Sequence, residues 1–309
     1  MPYLLLTLTV LFWSGNFILG RGVHDVIPPI AMSFWRWTIA LMIILPFAVK
    51  PMKSQWDLIR SHWKIITLLA IFSVTIFNSF IYLALHSTLA VNAILINAMT
   101  PIFIVLFSWI GFKDRITLLQ TFGVILSLFG LLWIISNGNL KNLMPVQFVR
   151  GDLWTLSAAV SWAMYTILLR KKPEKMSPVC FLSSIIIIGL FFLFPFYLWE
   201  IQTGATIRLT MTSVISVLYV AIFPSVLAYM FWNKAVEIIG ASKAGIFIHL
   251  MPVFGAIMAY IFLGERLRSY HIAGFCLIFS GIYLTTIHKK NANCTNNISQ
   301  TPAQRLVKQ

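Results

Sequence analysis

The apolar runs of this chain are continuous. From Ile185 to Phe194, for example, no position carries a polar side chain, and runs of this kind recur along most of the sequence. A helix that crosses a hydrocarbon core about 30 Å thick needs about 20 such residues. Strands of an outer-membrane barrel alternate polar and apolar residues instead. The 59% hydrophobic and 10% charged composition also departs from a soluble domain, where charged residues make up roughly a quarter. The pattern predicts an all-α integral membrane protein.

Hydropathy and breaker residues place ten spans near 3–20, 30–49, 64–85, 89–111, 117–136, 151–170, 178–199, 211–234, 240–262 and 269–288. Short connections between them carry Pro28-Pro29, Pro51, Asn137-Gly138-Asn139, Pro173 and Gly204. With ten spans and a cytoplasmic N-terminus, 16 of the 23 Lys and Arg residues fall on the inner side and six on the outer, with Arg36 inside a helix. This is the positive-inside asymmetry. It accounts for the net charge of +15 without nucleic acid, and it puts both termini in the cytoplasm. The first span lacks the basic n-region of a signal peptide and reads as a retained helix. The Asn-, Thr- and Gln-rich tail, 290–309, reads as disordered. Cys180 and Cys276 fall in apolar segments and Cys294 in the tail, which suggests no disulfide framework.

The chain also repeats itself. A shift of 151 lays Ala84 on Ala235, Ala93 on Ala244, Pro101 on Pro252, Asp114-Arg115 on Glu265-Arg266, Gly123 on Gly274 and Gly130 on Gly281. A shift of 149 lays Trp13 on Trp162 and Arg21 on Arg170. Prolines, glycines and acid–Arg pairs in register are hard to produce by chance. Each half, 1–140 and 148–289, holds five spans, an odd number, so the halves enter the membrane in opposite directions. Two inverted five-helix repeats are a recurring architecture of secondary transporters, whose sites lie near the midplane.

The segments Trp13-Ser14-Gly15-Asn16-Phe17, Phe34-Trp35-Arg36, Ala90 to Pro101, Gly240-Ala241-Ser242-Lys243-Ala244, Pro252 and Gly264-Glu265-Arg266 together resemble an EamA-type member of the drug/metabolite transporter superfamily. The resemblance covers nearly the whole chain. It implies ten helices, two five-helix repeats, a central cavity lined by the first, third, fourth, sixth, eighth and ninth helices, and transport of small metabolites. Lys113-Asp114 stands where the family's first half has Gly-Glu. The family spans amino acids, nucleobases, sugars and drugs, so the resemblance does not name a substrate.

Polar side chains in hydrocarbon are costly and usually face a bundle interior or a wet cavity. Asn78 and Tyr82 share one helix face, as do Ser225, Tyr229 and Asn233, and the repeat shift superimposes the two faces. Trp13 and Asn16 correspond to Trp162 and Tyr165, while Asn97 and Thr100 precede Pro101. The candidate substrate-binding set is Trp13, Asn16, Arg36, Asn78, Tyr82, Asn97, Trp162, Tyr165, Tyr229, Asn233 and His249. Each also has a plainer reading as an interhelical hydrogen bond, worth about 0.6 kcal/mol on average. Arg36 could bind a substrate carboxylate bidentately or serve structure alone; the resemblance favours structure, because an Arg here recurs across different substrates. His249 could relay protons or donate a hydrogen bond. Pro101 and Pro252 are candidate hinges.

Metal-site, P-loop and nucleophile-elbow motifs are absent from the sequence, and no Asp or Glu falls at a helix centre. The expectation is a non-enzymatic secondary transporter in a bacterial inner membrane, needing no cofactor or metal. It would export small metabolites, amino acids first among them, as a monomer or weak dimer. A lipid or lipid-linked-sugar flippase is the alternative, and it requires a groove open to the bilayer.

Overall fold

A computed structural model describes residues 1–88, 90–114, 117–136, 138–140, 149–263 and 269–287, with the main chain alone at 90, 91, 95, 135, 259–263 and 287. Arg115, Gly264-Glu265-Arg266 and the tail 290–309 lie outside the described residues. What is described is helical, with no strand among the described residues. The helices are α1 (Pro2–Gly22), α2 (Pro29–Ser54), α3 (Trp56–Ser61), α4 (Trp63–Ser87), α5 (Ala90–Asn97), α6 (Thr100–Phe112), α7 (Leu118–Ile135), α8 (Arg150–Lys171), α9 (Pro178–Gln202), α10 (Met211–Ile239), α11 and α12 (Ser269–Ile287). α11 runs from Ala241–Gly245 through tight 3₁₀ turns at Ile246–Leu250 into Met251–Leu263. Among the described residues, seven helical stretches are long and apolar enough to cross a membrane: α1, α2, α4, α8, α9, α10 and Ala241–Met258 of α11. Shorter apolar helices, α6 and most of α7, accompany them.

Proline explains many of the boundaries. Pro2, Pro29, Pro101 and Pro178 each occupy the first turn of a helix, where the missing N–H would have had no intrahelical partner. The expected single span at 89–111 is therefore two helices. The chain turns at Ala98-Met99, and α6 starts afresh with Pro101 in its first turn. Lys113 ends α6 in the left-handed conformation (φ 54°). Thr117 then starts α7 with a capping box, its hydroxyl accepting from Gln120 N at 3.2 Å while Gln120 Oε1 accepts from Thr117 N at 3.1 Å.

Two helices are locally underwound. α4 becomes a π-helix at Ile71–Phe77 and α10 does so at Ala221–Leu227, 150 residues later. Such wide turns frequently mark functional positions. Sequence periodicity had predicted unbroken α-helices in both places.

Long helices pack across the two halves: α1 against α10, α2 against α9, α4 against α8, and α7 against α12. The last pair meets along glycines. A Cβ on Gly130 would stand 2.8 Å from the Gly274 carbonyl oxygen, and one on Gly274 2.9 Å from that of Gly130. One on Gly123 would stand 2.6 Å from the Gly281 carbonyl oxygen. Small residues let backbones approach where lipid offers no hydrophobic drive for association. Gly130→Leu is therefore expected to lower the thermal midpoint in detergent by about 5 °C, from roughly 1–3 kcal/mol of overpacking. Gly111→Ala, with nothing within 4 Å of its Cβ, should leave it unchanged. Equal melting of both variants would show that the seam is not close-packed.

A buried guanidinium in an aromatic chamber

Arg36 is 1% exposed, held by α2 in the interior of the bundle. Its Nε donates to Ser225 Oγ at 2.9 Å, and its Nη1 donates to Asn78 Oδ1 at 2.7 Å and Tyr82 OH at 2.9 Å, with Asn16 Oδ1 at 3.4 Å. α1, α2, α4 and α10 thus converge on one cation. Its carbon centre lies 5.2 Å from the Trp37 ring centroid and 5.7 Å from that of Tyr82, within cation–π range. No carboxylate partner is found among the described residues. Nη2 has no acceptor among the described residues.

The π-turns supply the frame. In α4 the widened turn leaves the Ser73 carbonyl to accept from Asn78 Nδ2 (2.6 Å) and from Tyr229 OH (2.9 Å). Asn78 Nδ2 also donates to Tyr229 OH at 3.1 Å. In α10 the equivalent turn leaves the Val220 carbonyl to accept from Ser225 Oγ at 2.7 Å, which fixes that hydroxyl beneath the Arg36 Nε. Asn16 Oδ1 accepts from Tyr82 OH at 2.7 Å. Nearly every acceptor around Arg36 is therefore itself held, as a charge in a low-dielectric interior requires.

Next to this cluster the aromatic rings form a wall. Trp13 and Trp162 meet edge-on with centroids 4.9 Å apart; Trp232 lies 5.1 Å from Trp13, and Tyr229 lies 5.3 Å from Trp162. Trp13 Nε1 donates to the Pro224 carbonyl at 3.2 Å. The indole N–H groups of Trp37, Trp162 and Trp232 are buried without a protein acceptor. Trp13, Asn16, Arg36, Asn78, Asn97, Trp162 and Tyr229 enclose a cavity of about 10 Å³, room for about one water. It is too small to hold a metabolite.

Nine of the eleven candidate residues have side chains in or beside this chamber or its aromatic wall. Tyr82 braces Arg36, and Tyr165 packs against Trp162 with centroids 4.9 Å apart. Tyr165 OH donates to Asn233 Oδ1 at 2.7 Å. Asn233 lies one step further out, lining a separate cavity of about 310 Å³ with Arg170, Lys172, Glu174 and Glu237. His249 does not line the chamber. Its Nε2 donates to the Ala98 carbonyl at 3.0 Å and its Nδ1 pairs with Ser127 Oγ at 2.6 Å, so both ring nitrogens tie α11 to the α5–α6 turn and to α7. Pro101 and Pro252 both stand in the first turn of the outer helical segment, just beyond that contact. Trp37, Trp232 and the Ser73 carbonyl belong to the site and were not singled out from sequence. Trp232 sits three residues after Tyr229, a spacing that could have flagged it; a main-chain carbonyl freed by a π-turn leaves no sequence signal.

Separate sets of contacts close the two ends of the bundle. At one end the Glu200 carboxylate, 7% exposed, accepts from the Ile30 and Ala31 N–H groups at 3.0 and 2.6 Å. It caps the start of α2, where a helix favours negative charge. There too Thr88 Oγ1 donates to buried Asp152 (2.7 Å), and Arg21 donates to the Leu85 carbonyl (2.7 Å). Both acids fall at helix ends, as the sequence suggested, but both are buried. At the other end Asp114 pairs with Arg170 at 2.5 Å and accepts from Ser108 Oγ. Arg170 holds the Asp114 carboxyl below the usual carboxylate range, chiefly by its hydrogen bond. A lowered carboxyl pKa means that the pair contributes fully above the ordinary Asp value near 4 and is lost as pH falls below it. The melting difference between wild type and Asp114→Asn should therefore stay constant from about pH 8 to pH 5 and shrink below about pH 4. A difference that already shrinks between pH 8 and pH 6 would contradict the assignment.

The fold and site together define a multi-pass membrane protein with a polar, cationic chamber inside a helical bundle. The model of the EamA-like transporter family matches residues 1–136 and 149–287. The chain belongs to that family. An uncharacterized transporter of Archaeoglobus fulgidus is 29% identical over 92% of this chain and 96% of its own length. A probable amino-acid metabolite efflux pump of Salmonella typhimurium is 25% identical over 90% of this chain and 92% of its own. A crystal structure with 16% sequence identity shares the fold with a TM-score of 0.72, covering 92% of this chain and 95% of the other.

Proposed function

We propose that this protein exports small amino-acid metabolites by alternating access, with the Arg36 chamber as the substrate site. One observation carries the reading: a charged, hydrogen-bonded and aromatic chamber buried inside a bundle whose surface is apolar. Evolution retains an ionisable group in such a place when it serves the pathway. The name of the Salmonella typhimurium relative supports amino-acid metabolites as the cargo and efflux as the direction.

The inverted-repeat reading of ten spans gains support from contacts between positions one repeat apart. Trp13 meets Trp162, Asn78 meets Tyr229, and the Ala98 carbonyl meets His249. The matched π-turns and the paired glycine seams, Gly123 with Gly281 and Gly130 with Gly274, follow the same symmetry. Residues on a twofold axis meet their own equivalents, so the contacts of Trp13, Asn78 and Ala98 with theirs support an axis about which the halves would rock. The chamber admits substrate when one end parts: either the Glu200 and Asp152 contacts or the Asp114–Arg170 pair. Pro101 and Pro252, next to the Ala98–His249 contact, are the hinge positions of this scheme. The basic Arg170 end would face the cytoplasm of a bacterial cell.

The flippase alternative lacks a comparable feature. A groove of about 390 Å³ lies between Trp35, Ile39, Tyr197, Leu209 and Val217, but the Arg36 cluster does not line it. Counterflow into proteoliposomes tests the export reading. Vesicles preloaded with pooled amino acids and their N-acetyl and α-keto derivatives should accumulate labelled members of one class. Trp162→Ala should reduce that rate about tenfold or more, by analogy with the loss of a well-packed aromatic anchor. Folded protein that accumulates none of them would reject the reading.

A further inference from the structure

The chamber's polar groups are unevenly divided between donors and acceptors. The hydrogen bonds of Arg36 to the described residues run through Nε and Nη1, which leaves Nη2 without an acceptor among them, and Trp162 Nε1 is buried without one. Asn97 Nδ2 finds only the Met251 thioether, at 3.5 Å, a weak acceptor. All three residues line the same cavity. Of its amide oxygens, Asn78 Oδ1 is taken by Arg36 and Asn16 Oδ1 by Tyr82, while Asn97 Oδ1 has a long contact of 3.4 Å from the Thr100 hydroxyl. No Asp or Glu among the described residues lines it, and the buried acids Asp152 and Glu200 are engaged at the bundle's end. A guanidinium is always charged. The chamber thus presents one positive charge, surplus donors, and no carboxylate among the described residues to receive an ammonium.

We infer that the chamber is an anion site and that the species it carries has a net negative charge, so that transport moves charge across the membrane. The inference rests on the export reading and narrows its cargo. The substrate would be a carboxylate lacking a free ammonium, such as an N-acyl amino acid or an α-keto acid, with an apolar body against Trp13, Phe77 and Trp162. Its carboxylate takes Arg36 Nη2 and the neighbouring donors. An inside-negative membrane potential then drives the anion outward, by about 50-fold in concentration ratio per 100 mV for one charge. No titrating carboxylate in the chamber is needed for energy coupling.

Three probes with one side chain and different charge separate the possibilities: N-acetylphenylalanine, phenylalanine and phenylalaninamide, at mildly acidic pH. Counterflow is measured in proteoliposomes with a potassium diffusion potential set by valinomycin. N-acetylphenylalanine should be carried about tenfold or more faster than phenylalanine, the amide not at all, and its uptake should rise when the lumen is made positive. Asn78→Asp puts a carboxylate where Arg36 Nη1 now finds an amide oxygen at 2.7 Å. It neutralises the chamber while keeping the contact, and should abolish both the anion preference and the response to potential. Arg36→Gln should do the same; Asn78→Asp gives up the 2.6 Å bond to the Ser73 carbonyl, so the comparison of the three probes on wild-type protein keeps the test independent of whether either variant folds. Equal or faster phenylalanine flux, indifferent to potential, would overturn the inference and leave the export reading standing. Transport of none of the three by folded protein that counterflows other amino-acid metabolites would also overturn it. Failure with every amino-acid metabolite would instead remove the export reading beneath it.

Discussion

An arginine held inside a lipid-facing bundle is the constraint around which this structure is arranged. A charge taken out of water costs several kcal/mol even after relaxation, and Arg36 has no anion beside it to offset that. The offset comes from four neutral acceptors on three other helices. Each must be aimed at the guanidinium, and each needs a partner for its remaining polar atoms. This requirement propagates outward. Asn78 can turn its oxygen to Arg36 because its amide nitrogen is taken by the Ser73 carbonyl, and that carbonyl is free because α4 is underwound there. Ser225 is placed by the matching turn of α10. The two π-turns therefore serve as supports of the charge and follow from it.

The same network holds the bundle together where hydrophobicity gives little help. Lipid tails are as apolar as leucine side chains, so helices in a membrane gain association energy from packing and polar contacts. Here the two contributions are separated in space. The α7–α12 seam associates through glycines and close backbone contact, with few polar groups. α1, α2, α4 and α10 associate through the Arg36 cluster. A bundle built from one rigid seam and one polar junction can rearrange at the junction, since hydrogen bonds can be exchanged for bonds to a ligand. Close-packed glycines offer no such exchange.

Much of this was legible in the sequence. Long apolar runs gave the helices, and the polar faces of α4 and α10 indicated which surfaces would meet. The 151-residue shift superimposes Asn78 on Tyr229, and the two prove to be hydrogen-bonded, a contact that equivalence alone does not predict. What was not legible depends on the main chain. Periodicity cannot register a π-turn, because one extra residue in a turn leaves an apolar stripe almost unchanged. The division of the expected 89–111 span into α5 and α6 was only half visible: Pro101 marked the place, but whether a proline kinks a helix or opens a new one is decided by the turn before it. Glu200 read as an acid at a helix end or in a loop, and nothing local shows that it reaches across to the first turn of α2. His249 looked like a site residue for the same reason that Asn97 did, as a polar group deep in a span. Which way a helix side chain faces near a 3₁₀ segment does not follow the 3.6-residue period that such arguments assume.

The closed chamber and its surplus of donors belong to one physical picture. Donors without acceptors in a low-dielectric interior are unfavourable, and a cavity of about 10 Å³ leaves almost no solvent to relieve them. A protein shaped only for stability would replace Trp162 Nε1 or Asn97 Nδ2 with apolar groups of similar size, because an unpaired buried donor costs about 1–3 kcal/mol. In the alternating-access scheme proposed above, keeping them lowers the stability of the closed chamber relative to one in which a ligand supplies the acceptors. A modest penalty of this kind would keep the free energies of the closed and open states close, so that binding free energy can shift the balance between them. On this view the same unpaired donors that define the chamber's chemistry also keep it from locking shut.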